Sequence, residues 1–239
     1  MEHKMRAHSK FSASGSERWL NCAASVALEE KAPPSPDTPW SKEGTLAHEC
    51  LEQLLTGGET DYFPKQMFKY CEKARDWIKT EARKLRAPLL IEKRVYNNEI
   101  HPEMFGTCDA IIPQYMGTLH IIDFKYGAGH LVSPIKNTQM IQYALAVAEA
   151  YDWKFERVKM TIIQPRAGNK FSESWEISIT ELKNQWLPLW KKGVARVERG
   201  DAKPFPGSWC HWCRAKTTCP AKNESRVNAI EQKFGKVSN

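Results

Sequence analysis

Asp109, Asp123 and Lys125 lie in a stretch, residues 106–125 (GTCDAIIPQYMGTLHIIDFK), that is otherwise largely apolar. Apolar runs at 108–112 and 119–124 flank a turn at 113–117, the pattern of a β-hairpin. Side chains two apart on a strand share a face, so Asp123 and Lys125 project together, and Asp109 on the partner strand can reach them. Charged groups are costly to desolvate on such a hairpin, which is a reason to look for a function. Two carboxylates with a neighbouring main-chain carbonyl make a hard oxygen site suited to Mg²⁺ or Mn²⁺. A lysine two residues on would hold a scissile phosphate or a water and stabilise developing negative charge. The plainer reading is a pair of turn or edge aspartates beside a solvated lysine.

Three further groups could do chemistry. His48 follows Glu43-Gly44-Thr45 on a helical pattern and sits at the edge of its apolar stripe. Gln139 and Tyr143, four apart, put an amide and a phenol on one helix face, with Gln142 as a near-equivalent choice on the adjacent face. Cys210-x2-Cys213-x5-Cys219, followed by Pro220, packs three thiols into ten residues of polar chain and calls for a metal. A fourth ligand is needed, and Cys22 is the cysteine outside the apolar segments. A metal held by these four closes a loop between positions 188 apart (210 minus 22), where a cross-link should stabilise most. Zinc would accept the same thiolates, and His211 is a less well-placed alternative to Cys22. Cys50, Cys71 and Cys108 fall within apolar runs and read as packing residues.

The elements that must position these groups follow from periodicity and breakers. Residues 1–11 read as a flexible basic arm, and a short helix spans 17–30. The stretch 32–39 (APPSPDTP) is a loop. Ser41 opens a helix ended by Gly57-Gly58, and a second helical pattern covers 65–85. A strand at 89–96 joins the hairpin in an antiparallel meander. A helix at 138–151 followed by a strand at 158–164 gives a βαβ crossover. Residues 175–179 form a fifth strand, and Thr180 caps a last helix, 181–199, kinked at Pro188. A basic, flexible tail is expected over 221–239. The layout is α/β, a mixed sheet flanked by helices.

The 239 residues are 41% hydrophobic and 26% charged, ordinary for a globular protein, and no run approaches a membrane span. The polar start, MEHKMRAHSK, does not read as a secretory signal, so the expected location is cytoplasmic. A formal charge of +7 suits a polyanionic partner.

Taken together, the ordered set of one early cysteine, a helical His, G-x-x-D, D-x-K, Q-x-x-x-Y and C-x2-C-x5-C resembles the PD-(D/E)XK nuclease superfamily. The match is to its RecB/AddB-like branch with an iron–sulfur cluster, which includes stand-alone phage exonucleases. It covers about 12–220 as a single nuclease domain. The resemblance implies a restriction-endonuclease-like core, with Asp109, Asp123, His48 and the carbonyl of Phe124 holding Mg²⁺ or Mn²⁺. Lys125 would act on the phosphate and water, while Gln139 and Tyr143 would line the DNA path. Cys22, Cys210, Cys213 and Cys219 would carry a [4Fe–4S] cluster joining the N- and C-terminal segments. Family members often place a further acid near Glu92, although its alternation with Leu90, Arg94 and Tyr96 also fits a solvent-facing residue.

The expected activity is metal-dependent hydrolysis of DNA phosphodiesters, by an exonuclease acting on ends or single strands in recombination, repair or phage DNA processing. No phosphate-binding G-x-x-x-x-G-K-[ST] motif is present, so unwinding would come from a partner, such as a recombination or annealing protein. The rivals are a non-catalytic DNA-binding protein that keeps the cluster, and a zinc-stabilised interaction module.

Overall fold

The computed structural model describes residues 9–234, with side chains described as far as 229. Five strands form one sheet in the order β1 (Leu90–Tyr96), β2 (Phe105–Pro113), β3 (Thr118–Phe124), β4 (Arg157–Ile163) and β5 (Ser172–Ser178). The first three strands are an antiparallel meander, β3 and β4 are parallel, and β5 returns antiparallel. The parallel step is bridged by a helix (Thr138–Ala150, called α5 below), as a crossover connection requires.

Each face of the sheet carries its own core. On one face, α3 (Pro39–Thr56) and α4 (Lys65–Leu85) bury Ala47, Leu51, Met67 and Ile78 against Ile112, Ile122 and Phe124. On the other, α5 is buried along nearly its whole length against Ile111, Leu119, Ile121 and Met160, with Trp19 and Trp190 closing over it. The opposite-facing alternation of β3 follows directly: Leu119 and Ile121 go to one core, Ile122 and Phe124 to the other. Buried Glu81 of α4 is bracketed by Lys159 at 3.0 Å and Lys84 at 2.8 Å, which ties that helix to β4. Cys50, Cys71 and Cys108 are buried in these cores, as their apolar surroundings imply.

Helix α3 begins one turn earlier than Ser41. Thr38 is its N-cap and Ser41 completes a reciprocal capping box, while Gly57 ends it in the left-handed conformation. The single helix expected over 17–30 is two, α1 (Ser16–Asn21) and α2 (Ala24–Lys31), broken at Cys22. Apolar periodicity cannot register one non-helical residue. The last long helix is capped by Ser178, not Thr180: a single turn α6 (Ile179–Glu181) runs through a π-helical stretch, Leu182–Trp186, into α7 (Leu187–Arg199). Pro188 follows directly on this wide turn, where the Leu187 N–H bonds back to the Leu182 carbonyl, and the wide turn accommodates the proline in place of the expected kink.

Both expected ends need correction. The arm does not extend to residue 11, because Phe11 is fully buried and Ser9 donates to the Glu103 carbonyl. Residues 1–8 lie outside the described residues. The segment expected as a flexible tail is helical as α8 (Pro220–Phe234), and 235–239 lie outside the described residues. Among the described residues no helix is long and apolar enough to cross a membrane.

Candidate active site at the sheet fork

Strands β2 and β3 stay paired from Pro113↔Leu119 to Ala110↔Ile122, and their ladder stops there. Beyond that point β2 continues with β1, while β3 continues with β4 as far as Phe124↔Ile163 and the Lys125 N–H bond to the Ile163 carbonyl. Asp109 and Asp123 are the next residues on the two diverging strands, so the fork opens between their carboxylates. The Phe124 N–H, left without a strand partner, donates to Asp109 Oδ2 at 2.6 Å.

A second irregularity faces the fork. Glu92 adopts φ 45°, a left-handed conformation unusual inside a strand, at the β1 position opposite Asp109. The facing of side chains changes here on both strands. Cys108 and Ile111 enter the α5 core while Ala110 enters the α3–α4 core, and Leu90 and Val95 reach the same core although five residues apart. The alternation that would have turned Glu92 to solvent with Leu90 and Tyr96 is therefore broken. One ligand atom each from His48, Glu92 and Asp109 lies within 4.8 Å of the others, a grouping able to hold a metal ion.

The helices bring groups from both faces. From α3, His48 Nδ1 lies 3.3 Å from Asp109 Oδ1, and its ring stands edge-on to Phe124. From α5, Gln139 Nε2 donates to Asp123 Oδ1 at 2.9 Å and to the Tyr143 hydroxyl at 3.3 Å. Lys125 Nζ donates to Gln139 Oε1 at 3.1 Å and to Asp123 Oδ1 at 3.3 Å, and lies 2.9 Å from Asp123 Oδ2. That second oxygen of Asp123 is buried, with the Lys125 ammonium beside it. The fold thus brings Asp109, Asp123, Lys125, His48, Glu92, Gln139 and Tyr143 together. Gln142 does not join it: it donates to the Phe11 carbonyl and accepts from Trp190 Nε1, tying three segments of the core.

Burial and charge set the protonation states. Desolvation lowers the His48 pKa, but the Asp109 charge and hydrogen bond outweigh it and raise the imidazole to about 9. Asp109 is buried, yet His48 and the Phe124 N–H hold it below the ordinary carboxylate range. Burial pushes Asp123 up against the opposing pull of Lys125. Burial disfavours the Lys125 ammonium, but Asp123 and Asp109 raise its pKa above the ordinary value, which favours the cation. Burial, with Asp109 nearby, lifts Glu92 to about 7.

Two supporting features were not evident from the motifs. A Cβ at Gly106 would lie 2.8 Å from Tyr143 Cε1, so the glycine of G-x-x-D leaves room for the tyrosine ring. Arg166, in the β4–β5 connection, pairs with Glu43 at 2.8 Å and covers the Tyr126 ring at 4.4 Å, which fastens the start of α3 beside the end of β3. Neither the close approach nor the arginine has a signature in sequence, because both depend on elements remote in the chain.

The four cysteines line one cavity. Cys22, Cys210, Cys213 and Cys219 surround it with Arg18, Phe205 and Trp209, and the Phe205 N–H donates to Cys22 Sγ at 3.4 Å. Burial raises the Cys213 thiol above its ordinary value. The early and late segments of the chain therefore meet at these thiols.

A five-stranded mixed sheet with helices on both faces is an α/β fold. The crystal structure titled "Putative exonuclease (RER070207002219) from Eubacterium rectale" shares it: TM-score 0.53 at 12% identity, over 95% of this chain and 93% of that one. At that identity the likeness speaks for the fold alone. A second crystal structure, of SSO0001, matches 88% of this chain and 85% of its own at 13% identity, but its TM-score of 0.39 is too low to bear on the fold. Residues 8–239 match DUF2800, described as a protein of unknown function, and the chain belongs to that family.

Proposed function

We propose that this protein is a metal-dependent deoxyribonuclease of the PD-(D/E)XK superfamily, in its RecB/AddB-like branch. The observation that carries the reading is the meeting of His48, Glu92, Asp109, Asp123, Lys125 and Gln139 at the β2–β3 fork. One feature supports a metal there: the close grouping of one imidazole and two carboxylates, His48, Glu92 and Asp109. Asp109, Asp123, Glu92, His48 and the Phe124 carbonyl would hold it. The carboxylates suit Mg²⁺, and the imidazole leans the set toward Mn²⁺. Such an ion supplies a water of lowered pKa and charge to clamp a phosphate.

The chain's own groups do the rest. Lys125 presents a fixed ammonium beside Asp123, suited to the charge that develops on a phosphate under in-line attack. Gln139 ties Lys125, Asp123 and Tyr143 together, so it orients the lysine and keeps the carboxylate aimed into the fork. His48 sets the Asp109 carboxylate from the opposite face of the sheet. None of these groups is arranged to read a base, so recognition would rest on the phosphate backbone and weaken steeply with salt. The favoured activity is exonucleolytic, on DNA ends or single strands, with a recombination or annealing protein as the kind of partner that would supply them.

We read the cysteine site as that of a [4Fe–4S] cluster: Cys22, Cys210, Cys213 and Cys219 line one cavity, and their spacing resembles that of the RecB/AddB-like branch. The cluster's role here would be to hold Cys22 to the 210–219 segment. Anaerobically purified protein should be brown and contain iron, and a colourless protein with about one equivalent of zinc would reverse this assignment.

The nuclease assignment is tested with end-labelled linear, circular and single-stranded DNA in Mg²⁺ or Mn²⁺. Asp123→Ala should abolish cleavage and leave DNA binding in place. Cleavage at the wild-type rate by that variant would move the site elsewhere.

A further inference from the structure

From residue 202 to 223 the chain contains no Asp or Glu but has Lys203, Arg214, Lys216 and Lys222, three large aromatics and His211. This is the same segment that folds around the cysteine cavity. Its aromatic side chains are not used as core. Phe205 is 61% exposed and Trp212 is 71% exposed, although burying them would have been favourable. Both are held in place from behind. Phe205 stacks on Trp209 with ring centroids 5.7 Å apart and planes 24° from parallel, and Trp209 Nε1 donates to the Phe205 carbonyl. The Trp212 carbonyl accepts from Arg18 Nη1, and its ring stands against His211. The nearby acid, Glu29, is already neutralised: it pairs with Arg18 at 2.9 Å and accepts the Arg214 backbone N–H at 2.8 Å.

Exposed rings on a cationic segment with no Asp or Glu from 202 to 223 match the chemistry of unpaired nucleic acid, in which each base offers a face for stacking and each link a phosphate. The surface is also close to the fork. Ser16, at the start of α1, donates to Thr138 Oγ1 at the first residue of α5, next to Gln139. Arg18 and Cys22, at the other end of α1, touch the cysteine segment, and a helix of six residues is only about 9 Å long.

We propose that the segment 203–216 is a docking surface for single-stranded DNA, with Phe205 and Trp212 as stacking rings and Lys203 and Arg214 as phosphate contacts, and that it leads the strand toward the fork. This rests on the nuclease reading for its purpose but not for its test. The surface depends on the cysteine site for its shape, so the two bind and fold together.

Binding of a fluorescent single-stranded oligonucleotide to the full-length, cluster-loaded protein, measured by anisotropy in EDTA, tests it without turnover. Phe205→Ala/Trp212→Ala should weaken binding at least tenfold, since stacking on one ring is worth about 1–3 kcal/mol and tenfold is about 1.4. A blunt duplex should lose less than twofold. Lys203→Gln/Arg214→Gln should instead lower the salt slope by roughly 1.4, about 0.7 per phosphate contact, while the aromatic variant keeps the slope. Unchanged visible absorbance in both variants certifies that the cysteine site is intact. Wild-type affinity in the aromatic variant, equal losses for duplex and single strand, or a change confined to self-association would each overturn the docking surface. Failure of the wild-type protein to cleave any DNA in Mg²⁺ or Mn²⁺ would overturn the nuclease reading alone.

Discussion

The fork and the cysteine cavity are built on opposite plans. Fork residues come from α3, β1, β2, β3 and α5, and their charges largely balance one another: His48 against Asp109, Lys125 against Asp123, Gln139 bridging. The cavity is lined by α1–α2 and by the segment from Pro204 to Lys222, which includes two short 3₁₀ turns, Ser208–Trp212 and Arg214–Thr217. Its thiols have few polar partners and little apolar core behind them. The fork is held by the sheet and its two cores. The cavity lacks such a frame, and in the reading proposed above a group bound by its sulfurs would hold it. A change at the fork should therefore cost function with the fold intact, and a change at the cavity should cost the fold of both chain ends.

The largest effect that could break this contrast is Asp123→Ala, expected to lower cleavage by at least about 10³-fold. Its circular dichroism and melting curve should stay within a few degrees of wild type. A collapse of stability would make Asp123 a structural residue. Cys213→Ser should do the reverse. Loss of the cross-link between positions 22 and 213 is expected to cost about 2–5 kcal/mol and to lower the melting temperature by on the order of 10 °C, with iron content reduced. A variant as stable as wild type would show that the cavity needs no bound group.

Gly106→Ala would sharpen the picture at the fork. A methyl group 2.8 Å from the Tyr143 ring must displace it, and with it the partner of Gln139. Cleavage should fall about tenfold, while Tyr143→Phe, which keeps the ring and removes only the hydroxyl, should be milder. Glu92→Gly separates strain from function at one position. Glycine accepts the left-handed backbone that glutamate pays for, so stability should rise by about 1 kcal/mol while metal-dependent cleavage falls. A loss of both stability and cleavage would mean that the carboxylate holds the strand in place.

The smallest effect is a pH dependence of the metal-free protein. His48, raised from 6.5 to about 9, contributes stability that is fully present below pH 6.5 and lost as pH rises through 9. Glu92, raised from 4.5 to about 7, is favoured protonated, so it too makes stability fall as pH rises, between 4.5 and 7. Melting temperatures in EDTA should therefore decline from pH 5 to 9 as far as these two groups are concerned. Glu92→Gln should flatten the lower part of that decline and His48→Gln the upper part.

Much of this was legible in the chain. Asp123 and Lys125 announce themselves because they share one face of an apolar strand, and Asp109 because it lies on the partner strand. The cysteine spacing is local and needs no fold to be read. The meander, the crossover helix and the C-terminal end of α3 follow from periodicity and from Gly57. Other features were misread for a physical reason. Cys22 interrupts a helix that apolar spacing alone would continue, and Phe11 is buried by a core that the N-terminal sequence does not reveal. Gln142 is as polar as Gln139, and only the packing of α5 between Phe11 and Trp190 turns one inward and leaves the other at the fork.

The sequence by itself determined which residues could carry chemistry, because residue type and short-range spacing are covalent facts. The tertiary structure decided how they meet. The end of the β2–β3 ladder sets the separation of Asp109 and Asp123, and the left-handed turn at Glu92 redirects a carboxylate that alternation would have sent to solvent. The close approach allowed by Gly106 seats Tyr143, and the contact of α1 with both α5 and the cysteine segment joins the two sites. Each of these is a relation between elements far apart in the chain, set by packing and backbone pairing rather than by local preference.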